Sequence, residues 1–572
     1  MNRTETLAAL RGRPDVAVLV IGGGINGISV FRELALQGVD VVLAEKGDYC
    51  GGASAALSRM VHGGLRYLEN GEFKLVREAL VERDRLLKNA PHYVAPLPTT
   101  VPIFDIFSGI ANGAVRFLGL TRRPSRRGAF VIKAGLTLYD RFTSARQLMP
   151  AHRFRGRAET LKAWPAINPA IRSSATYYDA WVSRPERLGL EMLLDTLAAQ
   201  PSARALNYAA VASDASGLVL TDTLTGETQP IRPRLVINAT GGWIDLTNQA
   251  IGAPASRMMG GTKGSHLIVN NPALYQALDG HMVYYENEDG RICILFPYLG
   301  KVLVGSTDIR VDDPDTVRCE DDERRYILQS LAFVFPSIPI ADDEIVFQFS
   351  GVRPLPASKD SFTGRIPRDH LCEFVEATDR LPATLCMIGG KWTTFRSFGA
   401  LAADMALERL GAKRKVGTED LAIGGGRAFP ANPARWIAGL AQGHGLSPGY
   451  AERLFERYGT SAAAIAADIA KAPLVMLPGS DYSASEIAGI VEREQVETLA
   501  DLFLRRTTIA ITGSLTPALI DAALAILAAQ KGWDAERSAR ERAAFFALLA
   551  AQHGIRFPDC TETNDKRSAL CA

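Results

Sequence analysis

A glycine-rich segment near the start of the sequence has the residue types and the spacing that bind a dinucleotide. Gly22, Gly24 and Gly27 match the pattern G-x-G-x-x-G. The first glycine permits a tight turn, the second lets the backbone approach a pyrophosphate, and the third lets a helix pack on a strand. Glu45 follows roughly 20 residues later, where a carboxylate can accept hydrogen bonds from both ribose hydroxyls. The pattern predicts a dinucleotide other than NADP, whose 2′-phosphate Glu45 would repel, without distinguishing FAD from NAD.

The flanking sequence predicts the strand and the helix that such a turn requires. An apolar, β-branched run at 16–21 predicts a strand ending at Gly22, and a helical pattern continues from Asn26 to Gln37. Residues 39–45 predict a second strand, which completes a βαβ unit. The phosphates would then lie at a helix N-terminus, where free N–H groups and the helix dipole favour negative charge.

Two later segments repeat an apolar strand that runs into a glycine turn. Residues 235–239 precede TGGW and residues 385–388 precede GGKW, so we expect both strand ends to meet the cofactor. Between them, RICILFPYLGKVLVGSTD predicts two strands joined by a short turn at Leu299 and Gly300. That hairpin indicates an antiparallel sheet inserted into the parallel one, as a wall facing the substrate.

The length of 572 residues exceeds that of a single hydrophobic core and predicts two or three domains. Beyond about residue 410, alanine-rich segments carry apolar residues at helical spacing. We therefore predict an oxidoreductase domain at 1–410, a Gly- and Pro-rich linker at 411–430, and a helical domain at 431–572.

Composition excludes several classes of protein. A net charge of +2 gives no reason to expect nucleic acid as the partner. Seven cysteines without a Cys-x-x-Cys pair argue against a disulfide framework and against a metal site. The N-terminus lacks the apolar core of a signal peptide, and the most apolar window, 103–120, is interrupted by Asp105 and Arg116. We expect a cytoplasmic chain with reduced thiols.

A series of motifs resembles the aerobic, FAD-dependent glycerol-3-phosphate dehydrogenases. The resemblance begins in SRMVHGGLRYLE (58–69) and FKLVREALVERDRLL (73–87). It continues in the order of the family through DAWV (179–182), NATGGW (238–243), KGSH (263–266), GSTD (305–308), FSGVRPL (349–355), GGKWTTFR (389–396) and RRTTIAITGSLTPALID (505–521).

The resemblance implies an α/β fold, a glutathione-reductase-like FAD-binding Rossmann fold with an inserted antiparallel substrate sheet and a C-terminal α-helical domain. It implies oxidation of sn-glycerol 3-phosphate at carbon 2, with FAD as hydride acceptor and a membrane quinone as electron acceptor. The protein would associate peripherally with the inner face of the cytoplasmic membrane, and a homodimer is a further expectation. Since no His or Cys lies in an evident flavin-linkage motif, the FAD is expected to be noncovalent.

The same resemblance assigns residues to substrate and cofactor. Arg66 and Arg353 match positions that grip the phosphate or a neighbouring hydroxyl, as guanidinium forks can; Arg368 matches a third arginine less closely. For Arg66 the alternative is an ion pair with a nearby glutamate. Tyr67 and Thr307 are expected as hydroxyls of the site wall. The remaining predicted cofactor contacts are Asn26, Lys46, Ser54, Ser58, Gly63, Gly64, Gly241, Gly390 and Thr393.

Oxidation of an alcohol also needs a base whose pKa lies near the working pH. His62 and His266 are the candidates, and the sequence does not decide between them. Lys391 follows two glycines at a strand end and precedes a helical segment, so a cation and a helix N-terminus there could stabilise negative charge on the reduced flavin. Contact with substrate, or a solvated capping role, is the alternative for Lys391.

One segment departs from the family pattern. After DAWV the family continues with two acidic residues, a small residue, arginine and leucine, whereas this chain has Ser183-Arg-Pro-Glu-Arg-Leu188. If the segment lies near the substrate, it favours a longer polyol phosphate such as erythritol phosphate. The alternative is a helix start capped by Ser183, with Pro185 in the first turn.

Three further alternatives stay open at this point. An amine or amino-acid oxidase on the same fold would need an aromatic cage and a single arginine that binds carboxylate. A non-catalytic flavoprotein serving as an RNA-binding or scaffolding module would need a basic face over the whole chain. The segment 115–133, with arginines at 116, 122, 123, 126 and 127 beside apolar residues, suits an anionic membrane surface or a solvated loop about equally.

Overall fold

The computed structural model describes residues 3–64, 72–104, 149–254, 256–287, 289–357 and 369–557. Arg66, Tyr67, Arg368 and the basic segment 115–133 lie outside the described residues. Among the helices of the described ranges, none has both the length and the apolar composition to cross a membrane.

The described residues form nineteen strands and sixteen α-helices. The strands are β1 Asp15–Ile21, β2 Val41–Ala44, β3 Met60–Val61, β4 Val94–Ile103, β5 Arg153–Gly156, β6 Ser173–Val182, β7 Arg204–Leu206, β8 Ala209–Asp214, β9 Gly217–Asp222, β10 Thr228–Pro230, β11 Arg232–Asn238, β12 Thr262–Val269, β13 Met282–Glu286, β14 Ile292–Tyr298, β15 Lys301–Gly305, β16 Ile309–Arg310, β17 Ile345–Arg353, β18 His370–Val375 and β19 Thr384–Gly389. The helices are α1 Arg3–Gly12, α2 Ile25–Leu36, α3 Phe73–Asn89, α4 Arg157–Ala163, α5 Pro185–Ala199, α6 Ile244–Ala250, α7 Pro272–Ala277, α8 Asp321–Val334, α9 Phe395–Leu410, α10 Pro433–His444, α11 Pro448–Tyr458, α12 Ala462–Ile469, α13 Ala484–Arg493, α14 Leu499–Asp501, α15 Pro517–Lys531 and α16 Ala535–Leu548.

The first sheet has six strands in the order β18-β19-β11-β1-β2-β7. Its strands are parallel except β18, which is antiparallel to β19. Side chains of β1 are buried on both faces, Val20 against α2 and Leu19 against the opposite cluster, which explains the continuous apolar run in the sequence. The predicted βαβ unit is confirmed as β1, α2 and β2, and the predicted strands at 235–239 and 385–388 are β11 and β19.

The second sheet is mostly antiparallel and has β12 near one edge, paired with β15, β16 and β17. The predicted hairpin is confirmed as β14 and β15. Leu299 and Gly300 between them both have positive φ, 48° and 77°, as a type I′ turn requires. A further three-stranded sheet, β8 to β10, was not predicted.

The second sheet is covered on both faces. Leu267 and Val304 pack with Ile327 and Leu331 of α8 on one face. On the other face Ile268, Leu303 and Phe347 pack with apolar residues of the C-terminal helices, among them Leu519, Ile520 and Phe545. The C-terminal helices therefore share a core with the substrate sheet. The predicted boundaries at 410 and 430 remain predictions, although α9 ends at Leu410 and α10 begins at Pro433.

Candidate functional site

A cavity of about 940 Å³ lies where the two sheets meet. One part is lined by the turn after β1 and by the ends of β2, β11 and β19. The other part is lined by β12, β17 and the loop 306–308. Carboxyl ends of parallel strands form the usual crevice for nucleotide ligands in such folds, so this position suits a dinucleotide.

The turn after β1 has the backbone that the glycine pattern predicts. Gly22 has φ +106°, and a Cβ there would lie 2.8 Å from the carbonyl oxygen of Ala239. A Cβ on Gly27 would overlap the carbonyl oxygen of Gly22, so the third glycine serves close packing of α2 on the turn. The first N–H of α2, on Ile25, donates to the hydroxyl of Ser54 at 2.9 Å.

Glu45 lies at the end of β2 with its carboxylate held by the backbone. It accepts hydrogen bonds from the N–H groups of Gly23 at 2.6 Å and Gly47 at 2.9 Å. Burial raises the pKa of Glu45, and these two amide donors oppose the shift. Nearby, Oδ1 of Asn26 is buried with no hydrogen-bond partner among the described residues. The glycine turn, the carboxylate on the cavity wall and an unmatched polar atom together fit the ADP part of a dinucleotide.

The other part of the cavity contains both candidate bases. Nε2 of His266 lies 2.8 Å from Oγ of Ser58, and the ring stacks on Phe349 at 5.0 Å between centroids. Burial, followed by the charges of Arg353 and Arg59, lowers the pKa of His266 to about 3. The imidazole is therefore neutral at physiological pH.

His62 and Lys391 belong to neighbouring segments of the same wall. The backbone N–H of His62 donates to Oγ1 of Thr393 at 3.3 Å. Lys391 follows β19 and precedes a short 3₁₀ turn, Trp392–Thr394, that leads into α9. This confirms the predicted strand, glycine turn and helix around Lys391.

The loop 306–308 holds the guanidinium of Arg353 in a fixed orientation. NH1 of Arg353 donates to Asp308 at 3.0 Å, and NH2 donates to the hydroxyl of Ser306 and the carbonyl of Thr307, both at 3.0 Å. The hydroxyl of Thr307 points elsewhere, because it donates to Glu323 at 2.6 Å. Thr307 borders the cavity, yet its hydroxyl proton is engaged outside it.

The structure brings most of the predicted site residues to one cavity. Gly27 and Gly63 are exceptions among the described residues, since they support the wall without lining it; the N–H of Gly63 donates to Asp179 at 3.0 Å. Those that line it are Gly22, Gly24, Asn26, Glu45, Lys46, Ser54, Ser58, His62, Gly64, Gly241, His266, Thr307, Arg353, Gly390, Lys391 and Thr393.

The cavity wall includes several residues that the sequence does not predict. Trp243 donates from Nε1 to Asp315 at 2.7 Å, and Lys46 pairs with the same carboxylate at 3.0 Å. Arg505, from the C-terminal region, also lines the cavity and pairs with Asp48. The motifs that contain Trp243 and Arg505 were recognised, but no local signal indicates that residues so far apart in sequence meet.

The segment 183–188 does not lie where the longer-substrate hypothesis needs it. Among the described residues that line the cavity, none comes from this segment. Glu186 instead pairs with Arg59 at 2.7 Å, and Arg187 pairs with Glu494 of the C-terminal region at 2.9 Å. The departure from the family pattern is thus part of a buried set of ion pairs, one of which reaches the C-terminal region. It gives no support for a longer substrate.

The helix-start alternative is correct only in part. Pro185 is the first residue of α5, but the N-cap is Arg184 and it makes no side-chain capping hydrogen bond. Oγ of Ser183 is buried and, within the described residues, has no hydrogen-bond partner. The expected cap by Ser183 is therefore wrong.

The parallel sheet, the glycine turn with Glu45 and the inserted antiparallel sheet define a dinucleotide-binding oxidoreductase. Residues 17–396 match the family described as FAD dependent oxidoreductase, and residues 416–538 match the C-terminal domain of alpha-glycerophosphate oxidase. The chain belongs to the FAD-dependent glycerol-3-phosphate dehydrogenase family. This membership confirms the predicted fold class and FAD as the cofactor.

Relatives with established names cover most of the chain. A glycerol-3-phosphate dehydrogenase of Synechocystis is 33% identical over 518 residues, which are 86% of this chain and 89% of that protein. D-erythritol 1-phosphate dehydrogenase of Brucella abortus is 31% identical over 507 residues, 86% of this chain and 93% of that protein. The glycerol-3-phosphate dehydrogenase structure from Bacillus halodurans, complexed with FAD, has a TM-score of 0.73 at 23% identity and covers 96% of this chain and 97% of its own.

Proposed function

We propose that the protein oxidises sn-glycerol 3-phosphate to dihydroxyacetone phosphate and passes the electrons to a membrane quinone. The observation that carries this proposal is the fixed guanidinium fork of Arg353 beside His266 in the cofactor cavity. Such a fork suits a phosphate, because two N–H groups can donate to two oxygens of one anion. Two relatives named above act, by their names, on glycerol 3-phosphate and erythritol 1-phosphate.

Bound FAD would supply the hydride acceptor, and the ADP part of its site is formed by Gly22, Gly24, Asn26 and Glu45. The chain's own residues bind the substrate and move its proton. Arg353 holds the phosphate at one end of the substrate, which positions the reacting carbon within the cavity. Arg66 and Arg368 are proposed as further cations at the phosphate, with Tyr67 beside them. Lys391 is proposed to stabilise negative charge that develops during the transfer.

Both histidines remain candidates for the base. His266 is neutral, and a neutral imidazole can accept the hydroxyl proton if the charge it gains is compensated. A phosphate bound at Arg353 would supply that compensation, since it would offset the cation that now lowers the pKa of His266. His62 lines the same cavity and is the second candidate.

The proposal includes peripheral association with the inner face of the cytoplasmic membrane, where the quinone is found, and a homodimer. Both parts rest on the family resemblance alone. The basic segment 115–133 is the proposed contact with anionic lipid, because its arginines lie beside apolar residues in the sequence.

Erythritol 1-phosphate is the second candidate substrate. The identity to the erythritol enzyme, 31%, is close to the 33% for the glycerol enzyme, and a difference this small does not assign a substrate.

Steady-state rates with both phosphates, using a quinone in anionic vesicles and a dye in solution as acceptors, test the proposal. We expect kcat/KM to favour glycerol 3-phosphate by more than about tenfold, equal to 1.4 kcal/mol of transition-state stabilisation. A preference of that size for erythritol 1-phosphate would replace the substrate. Turnover with the dye but not with the quinone would contradict the acceptor.

A further inference from the structure

The buried carboxylate of Glu323 connects β12, the loop 306–308 and, through Ser265, β17. Glu323 is the third residue of α8 and belongs to its capping box, where Oε2 accepts from the backbone N–H of Glu320 at 3.1 Å. Its side chain is only 2% exposed. Glu323 is not among the described residues that line the cavity.

Hydrogen-bond donors from β12 and from the loop 306–308 surround the carboxylate. Oε1 accepts from the hydroxyls of Ser265 at 2.8 Å and Thr307 at 2.6 Å, and Oε2 pairs with Nζ of Lys263 at 2.7 Å. Burial works to raise the pKa of Glu323, but the hydrogen bonds from Lys263 and Thr307 outweigh it and hold the pKa below its ordinary value. Glu323 is thus an anion at neutral pH with four donors around it.

The alternation of β12 explains why this cluster bears on the site. Lys263 and Ser265 contact Glu323, whereas Gly264 and His266, which alternate with them, line the cavity. Successive side chains of a strand point to opposite faces, so the buried carboxylate holds β12 on the face opposite the cavity. Ser265 extends the cluster to β17, because its hydroxyl lies 2.6 Å from that of Ser350.

Thr307 connects the cluster to the arginine fork. Its hydroxyl is held by Glu323 and accepts from the N–H of Ser265 at 3.0 Å, which leaves the carbonyl directed at Arg353. The loop 306–308 that orients Arg353 is therefore tied to β12 and α8 through this one side chain. A change at Glu323 would move the loop, and with it three of the hydrogen bonds of the guanidinium.

We infer that Glu323 is a positioning residue: it fixes the loop 306–308 and thereby the fork of Arg353 that receives the anionic group of the substrate. This inference rests on the proposed function for the identity of the anion. It predicts that Glu323 affects binding of phosphate without contacting it.

The test compares Glu323→Gln with Glu344→Gln. Glu344 belongs to another capping box, accepts from Asn271 at 2.8 Å, and is not among the described residues of the cavity wall, so it controls for loss of a capping carboxylate. We expect Glu323→Gln to raise KM for glycerol 3-phosphate about tenfold with a smaller effect on kcat, as loss of binding common to the ground state and the transition state does. Flavin content and spectrum should stay unchanged, and Glu344→Gln should behave like the parent.

A double-mutant cycle separates this role from a general loss of structure. If Glu323 acts through Arg353, Glu323→Gln combined with Arg353→Lys should cost little more than Arg353→Lys alone, because coupled residues are not additive. Effects that multiply would overturn the inference. Thr307→Val should reproduce the rise in KM and Thr307→Ser should restore the parental value, which keeps the test valid if Glu323→Gln fails to fold.

Inorganic phosphate as a probe distinguishes failure of this inference from failure of the proposed function. Thermal stabilisation of the flavoprotein by phosphate gives an apparent Kd without turnover. We expect Glu323→Gln to raise that Kd for phosphate by about the same factor as it raises KM. Parental protein that binds phosphate but does not oxidise glycerol 3-phosphate would refute the function and leave the inference. Equal phosphate binding by parent and Glu323→Gln, or no binding by the parent, would refute the inference.

Discussion

Arg353 makes three hydrogen bonds in a fork geometry that a lysine cannot reproduce. Its fork reaches Asp308, Ser306 and the carbonyl of Thr307 at once. Arg353→Lys keeps the charge and loses this geometry, at a cost of at least about 2 kcal/mol for a charge-assisted contact. We expect kcat/KM with glycerol 3-phosphate to fall about 30-fold or more.

The matched control is Arg257→Lys, since Arg257 pairs at 3.3 Å with Asp312 on an exposed surface. It should leave kcat/KM unchanged. If Arg353→Lys stays within about threefold of the parent, Arg353 does not bind the phosphate.

His266 predicts a dependence of stability on pH. Its pKa of about 3 lies below the ordinary value of 6.5, so the unfolded chain binds a proton more readily than the folded chain. The stability that depends on this histidine is complete above pH 6.5 and is lost as pH falls toward 3. At about pH 5 the loss from one such group is about 2 kcal/mol.

Urea titrations at several pH values measure this contribution. His266→Gln should lose about 2 kcal/mol less than the parent between neutral pH and about pH 5. Parallel losses in parent and His266→Gln would contradict a buried, neutral His266.

Much of the site at this scale could be predicted from sequence, because glycines and charged residues in motifs reveal the backbone they need. Gly22 and Glu45 were readable from spacing alone. The orientation of the Thr307 hydroxyl could not be predicted, since Glu323, which accepts its hydrogen bond, lies in another element and belongs to no recognised motif.

At the scale of elements, three segments meet over the cavity. Lys46 follows β2, Trp243 follows β11, and Asp315 lies in a short 3₁₀ turn that follows β16. Lys46 and Trp243 both bond Asp315, and Nζ of Lys46 lies 5.0 Å from the Trp243 ring centroid. The side chains of Lys46 and Asp315 are both more than half exposed, so their ion pair forms the outer wall of the cavity.

We expect Asp315→Ala to release FAD faster, by about fivefold at low salt, because an exposed ion pair and one hydrogen bond contribute roughly 1 kcal/mol together. Recovery of free-flavin fluorescence after dilution measures the rate. Salt should accelerate release from the parent toward the rate of the variant. Glu227→Ala, which removes the exposed partner of Arg11, should change nothing; an unchanged rate in Asp315→Ala would show that the contact does not retain the cofactor.

Elements with strong local signals were predictable, as the hairpin of β14 and β15 shows. The pairing of β12 with both β15 and β17 was not, since strand order in a sheet depends on contacts between distant residues. The buried ion pairs of the segment 183–188 were missed for the same reason.

At the scale of the whole molecule, ion pairs connect the C-terminal region to the segment that follows β2. Asp48, three residues after Glu45, pairs with Arg505 and Arg506. Burial works to raise the pKa of Asp48, but these arginines lower it to about 2. A second buried ion pair, between Arg187 and Glu494, joins α5 to the C-terminal region. The C-terminal region thus helps to form the wall of the cavity, a role that an alanine-rich helical pattern does not reveal.

The proposed function requires this arrangement to take hydride from a polyol phosphate. It is tested most directly by mixing the FAD-containing protein with glycerol 3-phosphate under anaerobic conditions and following the visible absorbance of the flavin. We expect the absorbance to bleach with glycerol 3-phosphate and to be unaffected by glycerol, which lacks the phosphate that Arg353 would bind. Flavin that dithionite reduces, but that neither glycerol 3-phosphate nor erythritol 1-phosphate does, would contradict the account.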